Sequence, residues 1–119
     1  MRKVYGIGET VLDIIFKGGQ PQAAKAGGSV LNSVVSMGRM SLPVSFISEY
    51  GVDDVGELID SFLNENGVNT SSVHRFEDGS TSLALAFLDE NSVLFQIFEH
   101  KEGSCAMMLP VSHQGQIFV

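Results

Sequence analysis

The sequence is poor in the features that mark several classes of protein. A single cysteine, Cys105, among 119 residues excludes an intrachain disulfide framework and is compatible with a reducing cytoplasm. Lys plus Arg number 7 against 14 Asp plus Glu, a net charge of 7 − 14 = −7, and no basic cluster occurs. We therefore expect neither nucleic acid nor an anionic membrane surface as a partner.

Long hydrophobic runs are also missing. Apolar stretches such as Leu83–Leu88 fall far short of the roughly 18 residues that a membrane-spanning helix needs. Glu9 and Asp13 interrupt the apolar stretch near the N-terminus, which makes a signal peptide improbable on composition. The sequence therefore predicts a cytoplasmic protein that does not interact with membranes.

The side chains most often used as metal ligands or nucleophiles form no recognised pattern. His74, His100 and His113 do not follow the spacing of metal ligands. Cys105 has no recognisable catalytic context, because a thiol nucleophile needs a base placed beside it. We expect no metal site and no catalytic residue in this chain.

What the chain does contain is typical of one folded domain. Apolar residues make up 44% of the sequence and charged residues 18%, a composition that argues against disorder. The mean hydropathy of +0.17 is high for a domain of this size, because small domains bury only a modest share of their surface. It indicates an interface or a part of something larger.

Apolar periodicity predicts strands at both ends of the chain and two helices between them. The first helix follows Gly27-Gly28, with Ser29 as its N-cap, and stops before Pro43. The second helix opens at Asp53-Asp54, an acidic pair interpreted as a solvated helix start, and ends near Gly67. The expected strands are Lys3–Gly8, Thr10–Lys17, Gln22–Ala26, Val44–Tyr50, Val73–Phe76, Ser82–Leu88 and Val93–Glu99.

This order of elements predicts a mixed α/β fold. The strand–helix–strand–helix core implies parallel pairing with right-handed crossovers. The early strands and the late hairpin fit a smaller second sheet. No clear period extends beyond Lys101.

Three polar or glycine-containing positions are candidates for a site. Gly27-Gly28 lets the backbone approach a ligand at the start of a helix, where N–H groups are free. The Asn32 amide can both donate to and accept from a hydroxyl. Asp13, in an otherwise apolar strand, could accept from hydroxyls or simply face solvent. From the residues alone, a loop–helix junction with a solvated Asn32 is the favoured interpretation, and Gly6-Ile7-Gly8 is better explained as a tight strand end than as a dinucleotide loop.

Four short motifs of glycine and polar residues occur along the chain: Gly8-Glu9-(x)3-Asp13, Ala26-Gly27-Gly28-(x)3-Asn32, Gly51-(x)-Asp53-(x)2-Gly56 and Gly67-Val68. Together they resemble the ribokinase-like (PfkB-type) carbohydrate kinases, and most closely their fructokinase-like branch. The resemblance covers about residues 3–99. Val30 and Val34 depart from it, since smaller residues are commoner there.

The resemblance implies a partial Rossmann-like parallel core with a β-sheet lid. Residues 1–100 would be the N-terminal part of the kinase domain, with core segments 1–9 and 27–76 and lid segments 10–26 and 80–99. Residues 101–119 would be an atypical, divergent or truncated tail. The lid or the open sheet edge would form a homodimer.

The activity implied by the resemblance is ATP-dependent phosphorylation of a sugar hydroxyl with Mg²⁺. Asp13, Gly27, Gly28 and Asn32 would bind the sugar, and Phe87 or Phe98 would cover it. The family's Gly-Ala-Gly-Asp motif, which carries the catalytic base and the anion hole, has no match here, and the nucleotide-binding loops belong to the same absent part. The expectation is a sugar-binding half of a kinase. The alternatives are a non-catalytic sugar-binding or dimerising module, or an inactive fragment.

Overall fold

The computed structural model describes residues 2–90, 92–98 and 107–112, the last two ranges by their backbone only. The described residues form two helices, α1 Ser29–Arg39 and α2 Asp54–Glu65. The strands are β1 Val4–Ile7, β2 Val11–Lys17, β3 Gln20–Gly27, β4 Val44–Ile47, β5 Glu49–Gly51, β6 Val68–Asn69, β7 His74–Phe76, β8 Leu83–Leu88, β9 Ser92–Phe98 and β10 Met107–Ser112.

A parallel sheet with the order β1-β4-β6 forms the centre of the core. Both helices pack on one face of it, because each carries an apolar stripe at helical spacing. Phe46 of β4, Leu31 of α1 and Ile59 of α2 are completely buried there. This layer confirms the predicted mixed α/β class.

Two glycines in and after β1 make room for α1. A Cβ on Gly6 would overlap the Val34 side chain, and a Cβ on Gly8 would lie 2.6 Å from the Cβ of Val30. The two valines that depart from the family signature thus fill space that these glycines leave. Gly6 and Gly8 serve helix packing here.

The start of α1 differs from the sequence-based expectation. Ser29 is the first helical residue, and Gly28 occupies the N-cap position with φ 130° and no side-chain cap. The serine prediction was wrong by one position, because the glycine backbone turns in a way that non-glycine residues rarely adopt. The end of α2 matches the expectation, since Gly67 follows the helix with φ 79°.

The second sheet has five strands in the order β10-β9-β8-β2-β3. β2 pairs in parallel with β8 and antiparallel with β3. Gly18 and Gly19 connect β2 to β3 with φ 58° and 77°, as a tight two-residue hairpin turn requires. This sheet is the β appendage that the element order predicts.

Several strands differ from the prediction, and β6 at Val68–Asn69 was not predicted. The segment Val44–Tyr50 divides at Ser48 into β4 and β5, and β5 leaves the core sheet to pair with β7. β10 lies in a region where the sequence shows no clear period. It carries Pro110, which is compatible with its place at the edge of the sheet. Within the described part of the chain, neither helix is long and apolar enough to cross a membrane.

Candidate functional site

Asp13 lies in the middle of β2, between β3 and β8, and its side chain is half-buried. Its Oδ2 occupies the space that a Cβ on Gly27 would fill. Val11 is the direct partner of Gly27 across the β2–β3 pair, so Asp13 leans along the strand toward that glycine. A residue larger than glycine at position 27 would displace the carboxylate.

The carboxyl group of Asp13 is electrostatically unusual. Desolvation by burial raises the pKa of Asp13 from 3.8 to about 6. No hydrogen bond to this carboxylate occurs from the residues that the structure describes. Its lone pairs are therefore available to hydroxyl donors, at the cost of keeping a partly desolvated charge.

A strand bulge puts Asp13 and Gly27 on the same face of the sheet. The pairing of β2 with β3 shifts between Ile15 and Phe16. Beyond the shift Asp13 pairs with Lys25, so the lysine and Gly27 share the face of the carboxylate.

Gly28 lines a small cleft at the start of α1. The cleft has a volume of about 190 Å³, and a Cβ on Gly28 would lie 2.5 Å from the backbone oxygen of Glu9. Glycine is thus required at position 28 by both its φ and the close approach of Glu9. The cleft is lined by Gly8, Glu9, Val11, Gly28, Ser29 and Val30.

Asn32 is exposed and lines a larger cavity of about 530 Å³ between the β2–β3 hairpin and the two helices. Leu12, Ser36, Arg39 and Phe62 are among its other lining residues. Asp13 lines neither this cavity nor the cleft at Gly28. The structure thus brings Asp13 and Gly27 together but does not bring Asn32 to them. The Asn32 cavity is lined by Leu12, Ala24 and Ala26, which alternate with Asp13 and lie on the other face of the β2–β3 pair.

Phe87 and Phe98 are the two aromatic residues that the sequence analysis expected to cover the sugar. Phe87 stacks on Phe16 with ring centroids 5.0 Å apart. The register pairs Ala84 with Asp13 and Phe87 with Phe16, so both rings lie on the face opposite the carboxylate. Phe87 does not share a face with Asp13. The side chain of Phe98 lies outside the described residues.

The motif Gly51-(x)-Asp53-(x)2-Gly56 has a structural explanation. Asp53 caps α2 through Oδ1, which accepts from the Gly56 amide at 2.8 Å. The same carboxylate accepts from the Thr81 amide at 2.9 Å and the Thr81 hydroxyl at 2.6 Å. The expectation of a solvated Asp53 was wrong, because the chain before β8 folds back onto the helix start.

Hydrogen bonds to the Asp53 carboxylate decide the direction in which its pKa shifts. Desolvation acts to raise its pKa, but the bonds from Thr81 and Gly56 outweigh it and lower the pKa below the usual value. A Cβ on Gly56 would overlap the Gly51 carbonyl oxygen. This motif therefore ties β5, α2 and the start of β8 together.

The comparisons with known proteins show the family to which the chain belongs. A model of the pfkB family carbohydrate kinases matches residues 1–104. The 5-dehydro-2-deoxygluconokinase of Geobacillus thermodenitrificans is 35% identical over 66 residues, which cover 56% of this chain and 19% of that protein.

Two solved structures have the same fold. Fructokinase from Xylella fastidiosa with bound ATP superposes with a TM-score of 0.65 and 27% identity, covering 72% of this chain and 29% of that one. An uncharacterized sugar kinase from Pyrococcus horikoshii gives 0.76 and 25%, covering 83% and 34%. The chain thus spans about a fifth of this curated relative and about a third of these structures. Because the family model matches most of its residues, the chain belongs to the pfkB family of carbohydrate kinases.

Proposed function

We propose that this chain is the acceptor side of a fructokinase-like sugar kinase. It binds a sugar through Asp13, Gly27, Gly28 and Asn32 and orients one hydroxyl for phosphorylation by ATP. The half-buried Asp13 carboxylate is the observation that carries the proposal. A carboxylate with open lone pairs on a sheet face is a strong acceptor for hydroxyls.

The division of the chain into core and lid extends this proposal. Segments 1–9 and 27–76 form the core, and segments 10–26 and 80–99 form the lid over the sugar. Asp13 would hold hydroxyls from the lid, where Gly27 of β3 lies beside it, while the backbone at Gly28 approaches the sugar from the start of α1. Residues 101–119 form the atypical tail.

ATP and Mg²⁺ are the cofactors that the family implies. Mg²⁺ is usually held by one or two carboxylates together with the phosphates of the substrate, so we place it with the nucleotide. We therefore assign to this chain only the binding and orientation of the sugar. The catalytic base and the nucleotide site belong to the part of the domain that this sequence does not match. ATP-dependent chemistry and the single cysteine fit a cytoplasmic location.

Gly27→Ala tests the close approach between Gly27 and Asp13. The new Cβ would push the Asp13 carboxylate out of place, so we expect at least a tenfold loss of sugar affinity. Gly27 does not need a left-handed backbone, so the variant is expected to fold. Isothermal titration with fructose measures the effect, with Ser33→Ala on the exposed side of α1 as the control. Equal affinity of Gly27→Ala and the control contradicts the site.

We also predict no phosphorylation by this chain alone. Phosphoryl transfer depends on groups placed around the phosphate, and we assign none of these to this chain. The chain is incubated with ATP, Mg²⁺ and either fructose or 5-dehydro-2-deoxygluconate, and sugar phosphate is measured by mass spectrometry. A sugar phosphate above the protein-free control would overturn the assignment of the acceptor side alone.

A second candidate function is a non-catalytic sugar-binding or dimerising module. It is favoured by apolar side chains on the core sheet that the described residues leave uncovered, Tyr5 and Ile7. Its distinguishing result is a stable homodimer of the chain by light scattering.

A further inference from the structure

The cavity between the β2–β3 hairpin and the helices lies on the opposite face of the hairpin from Asp13. Its volume of about 530 Å³ falls within the roughly 300–1,000 Å³ that is typical of small-molecule sites. Ala24 and Ala26 of β3 line it with methyl groups only, so the hairpin leaves open space beside the helices. Leu58, which is 60% exposed on α2, and Phe62 one turn later form an apolar wall. The cavity therefore suits a ligand with an apolar body.

The charge of this cavity is opposite to that of the chain. Lys25 and Arg39 line it, and none of its described lining residues is acidic. The chain as a whole carries 14 Asp and Glu against 7 Lys and Arg. A local positive charge in an acidic protein favours an anionic ligand by electrostatic complementarity. The ligand that this cavity suits is therefore an anion.

Arg39 is held in one orientation by the end of α2. Its Nε donates to Asn66 Oδ1 at 2.7 Å, and Asn66 Nδ2 donates to the Phe62 carbonyl oxygen at 2.7 Å. Among the described residues, the two terminal nitrogens of Arg39 have neither a hydrogen bond nor a carboxylate partner. An oriented guanidinium with available terminal nitrogens matches the two oxygens of a carboxylate. Ser36, three residues earlier on the same side of α1, adds a hydroxyl to the cavity.

We propose that this cavity binds a small molecule in which one carboxylate group is attached to an apolar body. The carboxylate accepts hydrogen bonds from the terminal nitrogens of Arg39, and the body packs against Leu58 and Phe62. A neutral sugar presents hydroxyls around its ring and so matches neither the cation nor the apolar wall. The ligand is therefore distinct from the sugar of the proposed function, and the inference does not depend on that function.

Isothermal titration with three probes that share one apolar body tests the charge preference. The probes are 3-phenylpropionate, 3-phenylpropanol and 3-phenylpropylamine, which differ in their terminal group. Each is titrated into the full chain and into Arg39→Gln. Lys17→Gln is the matched control, because Lys17 is exposed at the end of β2, lies outside the cavity and loses the same charge. Ala24→Leu fills the cavity from an exposed position. Circular dichroism confirms that each variant folds.

We expect 3-phenylpropionate to bind one site per chain, the alcohol to bind at least about tenfold more weakly, and the amine not to bind. Arg39→Gln and Ala24→Leu should each weaken binding of the carboxylate by at least about tenfold. Lys17→Gln should change it by about twofold at most, since distant surface charges are screened. No binding of 3-phenylpropionate up to the millimolar range overturns the proposal. Equal affinities for the acid and the alcohol, or for Arg39→Gln and Lys17→Gln, also overturn it.

Asp13→Asn separates this cavity from the proposed sugar site. Because Asp13 lies on the opposite face of β2 from the cavity, the variant should bind 3-phenylpropionate at least as tightly as wild type. Loss of the carboxylate in Asp13→Asn would place the ligand beside Asp13 and overturn the proposal. Fructose titrations of the same variant test the sugar site independently, so a failure of one assignment is distinguished from a failure of the other.

Discussion

Asp13→Asn is expected to weaken sugar binding by about ten- to a hundredfold while making the unliganded chain more stable. The affinity loss follows because a hydrogen bond to a charged group contributes about 1.5–3 kcal/mol, and each 1.4 kcal/mol is about tenfold in Kd. Asparagine has nearly the same shape as aspartate, so the contact with Gly27 persists. Only the charge and its accepting strength are removed.

The gain in stability follows from the raised pKa of Asp13. Its pKa is about 6 in the folded chain against 3.8 as the reference value, so the folded state binds the proton more tightly than the unfolded state. The stabilisation from this proton is fully present below about pH 4 and is lost as the pH rises through about 6. Above that pH the folded chain keeps a desolvated charge, which asparagine lacks.

Thermal unfolding at pH 4.5 and pH 7.5 measures this difference. The Asp13→Asn variant should melt several degrees above wild type at pH 7.5 and much closer to it at pH 4.5. Sugar affinity of the wild-type chain should fall as the pH drops below about 6, since protonated Asp13 is a weaker acceptor. An unchanged fructose affinity in Asp13→Asn, or a variant less stable than wild type at pH 7.5, contradicts this account of Asp13.

Gly56→Ala is expected to destabilise the chain by about 1–3 kcal/mol, which is the opposite of the usual effect in a helix. Alanine ordinarily stabilises a helix interior by about 1 kcal/mol relative to glycine. Here its methyl group would overlap the Gly51 carbonyl oxygen, and backbone cannot move aside as a flexible side chain can. Relief of the overlap would shift α2 away from β5 and disturb the Asp53 cap.

Urea unfolding measures this loss, with Ser61→Ala on the exposed side of the same helix as the matched control. The control should change the free energy of unfolding by a few tenths of a kcal/mol at most. Because the pKa of Asp53 is lowered in the fold, the contribution of its ionised form is present at neutral pH. It is lost as the pH falls below the usual value toward the lowered pKa. A Gly56→Ala variant as stable as wild type would show that the helix is not held against Gly51.

The sequence predicts this fold well where the pattern is local. The apolar stripes of α1 and α2, the glycine turn at Gly18-Gly19 and the β8–β9 hairpin each follow from nearby residues. The predictions that Ser29 is the N-cap and that Asp53 is solvated were wrong, because both positions depend on contacts with residues far away in the sequence. Gly28 must pass close to the Glu9 backbone, and Asp53 finds its donors at Thr81, 28 residues away.

The candidate site depends on one feature that no local pattern reveals. Counting back from the Gly18-Gly19 turn without a bulge would pair Asp13 with Ala24 and put Gly27 on the opposite face. The shift between Ile15 and Phe16 pairs Asp13 with Lys25 instead. A one-residue change of register moves every side chain to the other face. The motif spacing could suggest that Asp13 and Gly27 act together, but only the bulge explains their contact.

Ligand-dependent thermal unfolding tests the central claim most directly. The wild-type chain and Asp13→Asn are melted with and without fructose or 5-dehydro-2-deoxygluconate at concentrations up to the millimolar range. A ligand that binds only the folded state must raise the midpoint, by about 2.7 kcal/mol of stability at a hundredfold excess over Kd. We predict a cooperative transition that one of these sugars raises in wild type and raises far less in Asp13→Asn. A cooperative transition that neither sugar moves would contradict the assignment of this chain as a sugar-binding half.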